Sequence, residues 1–579
     1  MTAAPVAAEP RQSGPRQDGL SQGWDPSQLS AVLVAIFLVA LIGLPVGWLA
    51  FFAVSDRSGD LTFGNFEALL SDPELLDPLL TSLSLSISVA VFAVLAAAPL
   101  AWIVSRTDLP ARRVIRALMT ASFVTPPFLG AIAWEVLAAP NSGIINKIWR
   151  DLTGSSEPLF DIYSFGGLLF VISCYTAPYV FVLLTNALDR IPADLEDAAG
   201  ILGAGVWKVA RSVTIPLVAP ALLAGALIAF LQSMTLFGSP AILALPAGFH
   251  TITTKIYSLF QFPPKPQLAA AAALPLLLVT IALLWAQRRI LGRRGYSVVG
   301  GKGGEARLTP LGRWRWPALI LVLLVLALPL FLPYGALLKA AFSRVSSGPL
   351  SAENLTLANV SFVFLEFSQT RLAFLNTFLL ALATATVGSL LALAVAYLAA
   401  RRAVPGSKAP EFLATAPVAI PGIVLGVGLF LAYTRGPFVL YGTLWILFLA
   451  FLTIELPAAF QQLRASFRAV HPELEEASRI LGANRLSTLK RITAPLPKSG
   501  LISGWCLIFI GVVRELSAAV MLSSANTKVL SVVIFDLNES GNLGAIAVLG
   551  VTMLIMTFAV VGIANWAAGI GSGLRLKGG

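Results

Sequence analysis

Twelve stretches of this chain stay apolar for about 20 residues or more, long enough for a helix to cross roughly 30 Å of hydrocarbon. They lie near 30–54, 78–104, 114–138, 165–188, 217–238, 267–287, 317–342, 373–400, 412–434, 438–460, 501–522 and 545–569. With 57% hydrophobic and 12% charged residues over 579 positions, the chain is no ordinary soluble domain. The expectation is an all-α polytopic membrane protein of about twelve transmembrane helices. Cys174 and Cys506, its two cysteines, both fall inside apolar runs, which leaves neither a disulfide framework nor a cysteine metal site.

The net charge of +11 could suggest nucleic acid or anionic lipid as a partner, so its distribution decides. The basic residues cluster in alternate connections, which is the pattern of membrane topology and argues against a nucleic-acid partner. Residues 1–28, rich in Pro, Gly, Gln and Ser, read as a disordered cytoplasmic tail without a cleavable signal pattern. After the first run come Asp56, Asp60, Glu67, Asp72, Glu74 and Asp77 against a lone Arg57, so this connection should lie outside. Arg106, Arg112, Arg113 and Arg116 place the next connection in the cytoplasm. The central linker carries Arg288, Arg289, Arg293, Arg294, Lys302, Arg307, Arg313 and Arg315 against Glu305, and it too belongs inside. A phosphate loop is excluded in its GGKGG stretch, because the positions that need Gly and Ser/Thr are Tyr296 and Gly303.

One polar unit occurs twice between apolar runs: 195–216, LEDAAGILGAGVWKVARSVTIP, and 474–495, LEEASRILGANRLSTLKRITAP. An offset of 279 carries Gly203 onto Gly482 and Pro216 onto Pro495 without a gap. Leu195, Ala198, Ala199 and Leu202 recur at helical spacing, as do Leu474, Ala477, Ser478 and Leu481, so each copy offers an apolar stripe that needs covering. Glycine costs about 1 kcal/mol against alanine within a helix and readily turns left-handed, so Gly203 and Gly482 should each separate two short helices into a knuckle. An amphipathic helix lying on the membrane surface is the plainer alternative.

Pairing Pro110 with Pro405 and Pro126 with Pro421 gives an offset of 295, so the first half has 16 extra residues, all in an outer loop. An even number of runs per half, with both knuckles on the basic side, makes the halves parallel repeats. The expected divisions are a first repeat at 29–291, the basic linker at 292–315, a second repeat at 316–572 and a cytoplasmic tail at 573–579, with both termini inside.

The knuckle resembles the EAA loop of ATP-binding-cassette importer permeases: Glu-Ala-Ala, three residues, Gly, nine residues, Ile-x-Leu-Pro. Asp197, Ser478 and Ala494 depart from that pattern and leave its spacing intact. The resemblance implies a type I importer permease fold and two helices that dock on cytoplasmic ATPase subunits through Leu195, Glu196, Asp197, Ala198, Ala199 and Gly203, and through Leu474, Glu475, Glu476, Ala477, Ser478 and Gly482. This chain has no phosphate loop, nucleophile–base pair, HExxH, CxxC or carboxylate dyad, and its only histidines are His250 and His471. It is expected to catalyse nothing and to bind no metal or cofactor, ATP and Mg being used by two copies of the partner ATPase.

Within the runs the adjacent pair Arg514-Glu515 stands out, because an ionisable group at membrane depth costs at least about 2.5–3.5 kcal/mol and normally faces a pathway or pairs internally. A structural salt bridge is the competing reading. The 279 offset places Thr235 and Leu236 opposite them, with Gln232 and the FGSP stretch from Phe237 marking a break in the first half. The pathway candidates are therefore Arg514, Glu515, Gln232 and Phe237.

The segments FGSPAILALPAGFHTITTKIYSLFQFPPKP, RRILGRRGYSVVGGKGGEAR and RELSAAVMLSSANTKVLSVVIFDL are similar to the fused two-half permeases of the ferric-iron importer family. That resemblance implies a bacterial plasma-membrane protein fed with ferric iron by an extracytoplasmic binding protein. Close relatives carry thiamine, polyamines or aminoethylphosphonate. A secondary transporter of two six-span halves is a different class; it predicts coupling carboxylates or interrupted helices at matching positions in both halves. An ATP-independent receptor or channel gives no reason for paired knuckles.

Overall fold

The computed structural model describes residues 26–293, 308–349, 351–401, 408–434, 436–468, 473–482 and 498–567. Most of the expected N-terminal tail, residues 294–307 of the linker, the second knuckle after Gly482 and the 573–579 tail lie outside the described residues. Helix α1 begins at Pro26, inside the stretch read as disordered.

The first half runs α1 (Pro26–Ala53), α2 (Gly64–Ser71), α3 (Pro73–Arg106), α4 (Arg112–Ala121), α5 (Pro127–Ala138), α6 (Ile144–Thr153) and α7 (Phe165–Leu188). It continues with α8 (Ala193–Ile201), α9 (Val206–Val209), α10 (Ile215–Thr235), α11 (Gly238–Leu243), α12 (Ile252–Ser258) and α13 (Pro266–Arg293). The second half comprises α14 (Arg315–Leu326), α15 (Leu332–Ala341), α16 (Ala358–Ser361), α17 (Ser368–Arg401), α18 (Lys408–Thr415), α19 (Gly422–Tyr433) and α20 (Leu444–Arg468). Then come α21 (Glu473–Ile480), α22 (Lys498–Arg514), α23 (Ser517–Leu522), α24 (Leu530–Glu539) and α25 (Leu543–Ala567). Helix is the expected answer to an apolar surround, because only a helix satisfies its own backbone within one segment. Among the described residues, β pairing is confined to the isolated bridges Ser55–Leu61, Thr107–Thr309 and Ser343–Leu355.

The two sequence offsets are the offsets of the architecture. Adding 295 to α3 and α5 gives the bounds of α17 and α19; adding 279 to the end of α10 gives Arg514, and adding it to α11 gives the bounds of α23. The 16 extra residues also fall where expected: 139–164 separate α5 from α7, against 434–443 between α19 and α20. That surplus contains α6.

Nine helices are long and apolar enough to cross a membrane among the described residues, and the other three apolar runs differ from straight spans. The 114–138 run bends by 100° between Val124 and Pro127, and the 412–434 run by 108° between Ala419 and Gly422. Proline explains both, since Pro126 and Pro127 in one and Pro421 in the other remove backbone donors and crowd the preceding turn. The 501–522 run breaks after Arg514 without a proline. There the Glu515 side chain accepts from the Ala518 backbone N–H at 2.9 Å, so a carboxylate caps the start of α23 in place of helix continuation.

The halves interlock. Helix α1 packs on α19 of the second half as well as on α13, and the Pro45 carbonyl comes so near that a Cβ on Gly428 would stand 2.7 Å from it. In return Val322, Leu326 and Leu330 of the second half share one apolar cluster with α3 and α7 side chains such as Ala93, Ala97 and Leu184.

Candidate functional site

Two places carry the polar groups the apolar bundle cannot explain. At the first knuckle, α8 ends at Ile201, Gly203 adopts φ +82°, and α9 follows; at the second, Gly482 adopts φ +86° after α21. Any other residue would pay about 1–2 kcal/mol for that conformation. A Cβ at either glycine would meet nothing within 4 Å, so a substitution acts through backbone strain and on whatever docks there, not through crowding in this chain. Ile201 and Leu202 are 87% exposed, Ile480 85% and Leu481 87%, and Leu195 and Trp207 are exposed beside them. Apolar tips of this kind, matched in both halves, are uncovered surface.

Glu196 does not face outward with them. It pairs at 3.4 Å with Arg106, whose side chain is 2% exposed at the end of α3, and accepts from the Thr214 hydroxyl at 2.8 Å. Arg106 also donates to the carbonyl oxygen of Leu188 at 2.8 Å, so the knuckle is bolted to α3 and α7. The chain entering the second half adds a further tie: Thr309 N–H donates to the Arg106 carbonyl at 2.8 Å, and Leu311 N–H to the Asp108 carboxylate at 2.8 Å. Ala198 is exposed, Ala199 half-buried and Ser478 buried, while the side chains of Leu474, Glu475 and Glu476 lie outside the described residues. Sequence reading treated Arg106 only as a topological charge. Its role depends on a contact across 90 positions, which spacing does not reveal.

The second place is a cavity of about 670 Å3 between the halves, where all four helix breaks converge. Phe123 and Pro127 line it from the α4–α5 bend, Pro421 and Gly422 from the α18–α19 bend, and Thr235 and Glu515 from the breaks after α10 and α22. Its charged lining consists of Glu455, Arg514 and Glu515. The Arg514 guanidinium crosses to the first half, donating to the Phe123 carbonyl oxygen and, at 3.3 Å, to the Tyr179 hydroxyl. A broken helix leaves carbonyls without intrahelical donors, and Arg514 fills one such vacancy. No ion pair between Arg514 and an acid is formed among the described residues, so the salt-bridge alternative is replaced by a carbonyl and a phenol.

Arg514 and Glu515 therefore sit at a helix end and not in mid-span as expected. Gln232 also lines the cavity, whereas Phe237 is fully buried behind it, its ring 5.2 Å from Tyr257 and 5.8 Å from Phe535. The missed group is Glu455 on α20. Its signal was present in the sequence, as the single acid within ILFLAFLTIELPAAF, the same kind of anomaly that singled out Glu515. Glu135, half-buried on α5 and accepting from the Tyr163 hydroxyl at 2.7 Å, was missed in the same way.

The family of binding-protein-dependent transport system inner membrane components matches this chain twice, over residues 90–295 and 388–570. The ferric transport system permease protein FbpB of Actinobacillus pleuropneumoniae is 28% identical over 449 residues, 77% of this chain and 64% of that protein. This chain thus spans 64% of the length of that curated relative. The molybdenum transport system permease protein ModB of Haemophilus influenzae is 29% identical over 231 residues, 38% of this chain and 98% of that protein. Among solved structures, a bacterial transporter that imports the acidic polysaccharide alginate has 17% identity and a TM-score of 0.40, covering 46% of this chain and 96% of that chain.

Proposed function

Because the chain belongs to the family of binding-protein-dependent transport system inner membrane components, we propose that it forms both halves of the pathway of an ATP-driven importer, with ferric iron as cargo. The observation that carries this reading is the knuckle present twice at one offset, each copy ending in an uncovered apolar tip. Two like tips call for two like partners. These are two copies of an ATP-binding-cassette ATPase, which would bind the ATP and Mg that this chain has no loop to hold. An extracytoplasmic binding protein would deliver the cargo on the opposite side. The chain would sit in a bacterial plasma membrane with both termini and both knuckles in the cytoplasm. Arg514, Glu515 and Gln232 would face the passing cargo, and Phe237 would back the wall they form.

Ferric iron is favoured by the similarity to FbpB over most of this chain; thiamine, a polyamine or aminoethylphosphonate remains the runner-up within the same machine. Interrupted helices at matching positions were the mark expected of a secondary transporter, and the breaks after Thr235 and Arg514 are such a pair. That feature does not separate the classes. The membrane carboxylates do better, because Glu455 and Glu515 face Thr176 and Leu236 at the 279 offset, which leaves no symmetric coupling pair.

The test is co-expression with ATP-binding-cassette ATPase and solute-binding-protein subunits from the same organism, followed by co-purification and uptake of labelled ferric iron. Capture of the ATPase with ATP-dependent uptake is expected; uptake that persists without any ATPase overturns the reading. Orientation is checked with Ala204→Cys, which an impermeant thiol reagent should leave unlabelled from outside intact cells.

A further inference from the structure

We propose that Glu455 and Glu515 form a transient binding station for a hard, oxygen-seeking cation in the transmembrane cavity, with Tyr179 and Gln232 at its edge. This deepens the pathway reading above and rests on it. The cavity lining contains two carboxylates and one guanidinium, and its other polar groups are hydroxyls, two phenols and amides. Carboxylate, phenol and amide oxygens are the donors a hard cation selects, and neither a thiolate nor an imidazole lines the wall.

Space for both acids is made by glycine. A Cβ on Gly511 of α22 would collide with the Glu455 carboxylate, and one on Gly422 would stand 2.9 Å from Glu515 Oε1. Glu515 spends Oε1 on the Ala518 N–H. Glu455 is half-buried and faces the cavity, yet no described residue gives its carboxylate a hydrogen bond or an ion pair. An unpartnered acid at this depth is costly, and a passing cation is the partner that would offset the cost.

Arg514 is the obvious objection, since it would repel a cation. Its guanidinium donates to the Phe123 carbonyl and the Tyr179 hydroxyl of the first half, and among the described residues it forms no ion pair with either acid. With two carboxyl groups to one guanidinium, the wall offers a cation more oxygen ligands than it offers an oxyanion such as molybdate cationic partners. Among the described residues no three His, Cys, Asp or Glu side chains converge to hold a metal ion permanently, which suits a site that must release its cargo. The cavity also continues past these acids along Gln461 and Leu507, toward the knuckle ends of α20 and α22.

The test uses the full chain in phosphatidylcholine nanodiscs and terbium(III) as the probe, read by emission sensitised through the cavity tyrosines. Saturable emission that molybdate does not displace is expected, with affinity falling about tenfold or more in Glu455→Gln. Glu455→Asp should keep the signal. Gly511→Ala, which drives a methyl group into the carboxylate, should weaken it without altering any charge, and it carries the test if Glu455→Gln fails to elute as a folded protein. Terbium affinity indifferent to both Glu455→Gln and Gly511→Ala overturns the station, as does displacement by molybdate. Uptake assays separate the two claims: terbium binding that needs Glu455 in a transporter that imports no ferric iron leaves the station standing and removes iron as cargo. Iron uptake with terbium binding that ignores Glu455 does the reverse.

Discussion

The two halves are built on the same offsets yet differ where they meet. At the knuckles they agree: Arg106, Glu196 and Thr214 correspond to Arg401, Glu475 and Thr493, the same residue types in register. At the cavity they disagree, because the second half supplies Glu455, Arg514 and Glu515 where the first has Thr176, Thr235 and Leu236. Even the breaks are closed differently. The Phe123 carbonyl takes the Arg514 guanidinium, while the Ala419 carbonyl takes the Thr280 hydroxyl at 2.6 Å. On the function proposed above, a surface that meets two identical partners must keep its copies alike. A cavity that meets one small cargo has no such constraint, and its charges can gather on one side.

The largest effect should come from making both knuckles fail together. Gly203→Val with Gly482→Val strains both turns by about 1–2 kcal/mol each and places branched side chains on the docking tips. ATPase capture and stimulated hydrolysis should be lost while membrane insertion survives, and the two single substitutions should each do comparable harm. Markedly unequal singles would break the equivalence of the knuckles.

Next in size is the asymmetric wall. Glu515→Gln keeps an amide oxygen that can still accept from the Ala518 N–H, so α23 stays capped while a charge disappears. Uptake should fall about tenfold, the loss of about 1.4 kcal/mol, with abundance and ATPase capture near normal. Loss of abundance in step with uptake would return Glu515 to a structural role.

Removing the knuckle bolt should cost stability. Arg106→Ala leaves Glu196 with only the Thr214 hydroxyl and removes the donor to Leu188, a loss of about 1–3 kcal/mol that a thermal melt in detergent would register. Arg401→Ala should give a similar shift if the second half repeats the bolt. A silent Arg401→Ala would show that the likeness stops at the residue names.

The smallest effect belongs to a pair of ties with reversed sign. Arg116 on α4 bridges Asp189 after α7, whereas Glu411 on α18, the 295-offset counterpart of Arg116, bridges Arg464 on α20. The partners are 26–38% exposed, so each bridge is worth about 0–1 kcal/mol. Reversing one charge should lower the melting temperature slightly, and reversing both partners of one bridge should restore it.

Much of this was legible in the chain. Twelve apolar runs, two offsets and a repeated Gly-centred unit determined an all-helical, two-half membrane protein, because hydrocarbon thickness and helical rise leave little choice. The offsets predicted the 16-residue surplus in the outer loop, and glycine's conformational freedom the left-handed turns at Gly203 and Gly482. One repeat escaped notice. Asn65 donates to the carbonyls of Ala53 and Ser55, and Asn359 does the same to Ala341 and Ser343, pinning the turn after the first helix of each half. Six extra residues in the second turn hid the correspondence from a fixed offset.

Only the tertiary structure decided which polar groups meet. Arg514 and Phe123 are 391 positions apart, and the carbonyl that receives the guanidinium is available because prolines break the helix just beyond it. A break is a local event that sequence can suggest, but the donor that heals it comes from another helix, chosen by packing. The same holds for Glu455, whose place beside Gly511 depends on how α20 lies against α22. Periodicity and composition fix which residues leave water, since that is a property of each segment alone. Partnership among those residues is a property of the whole bundle.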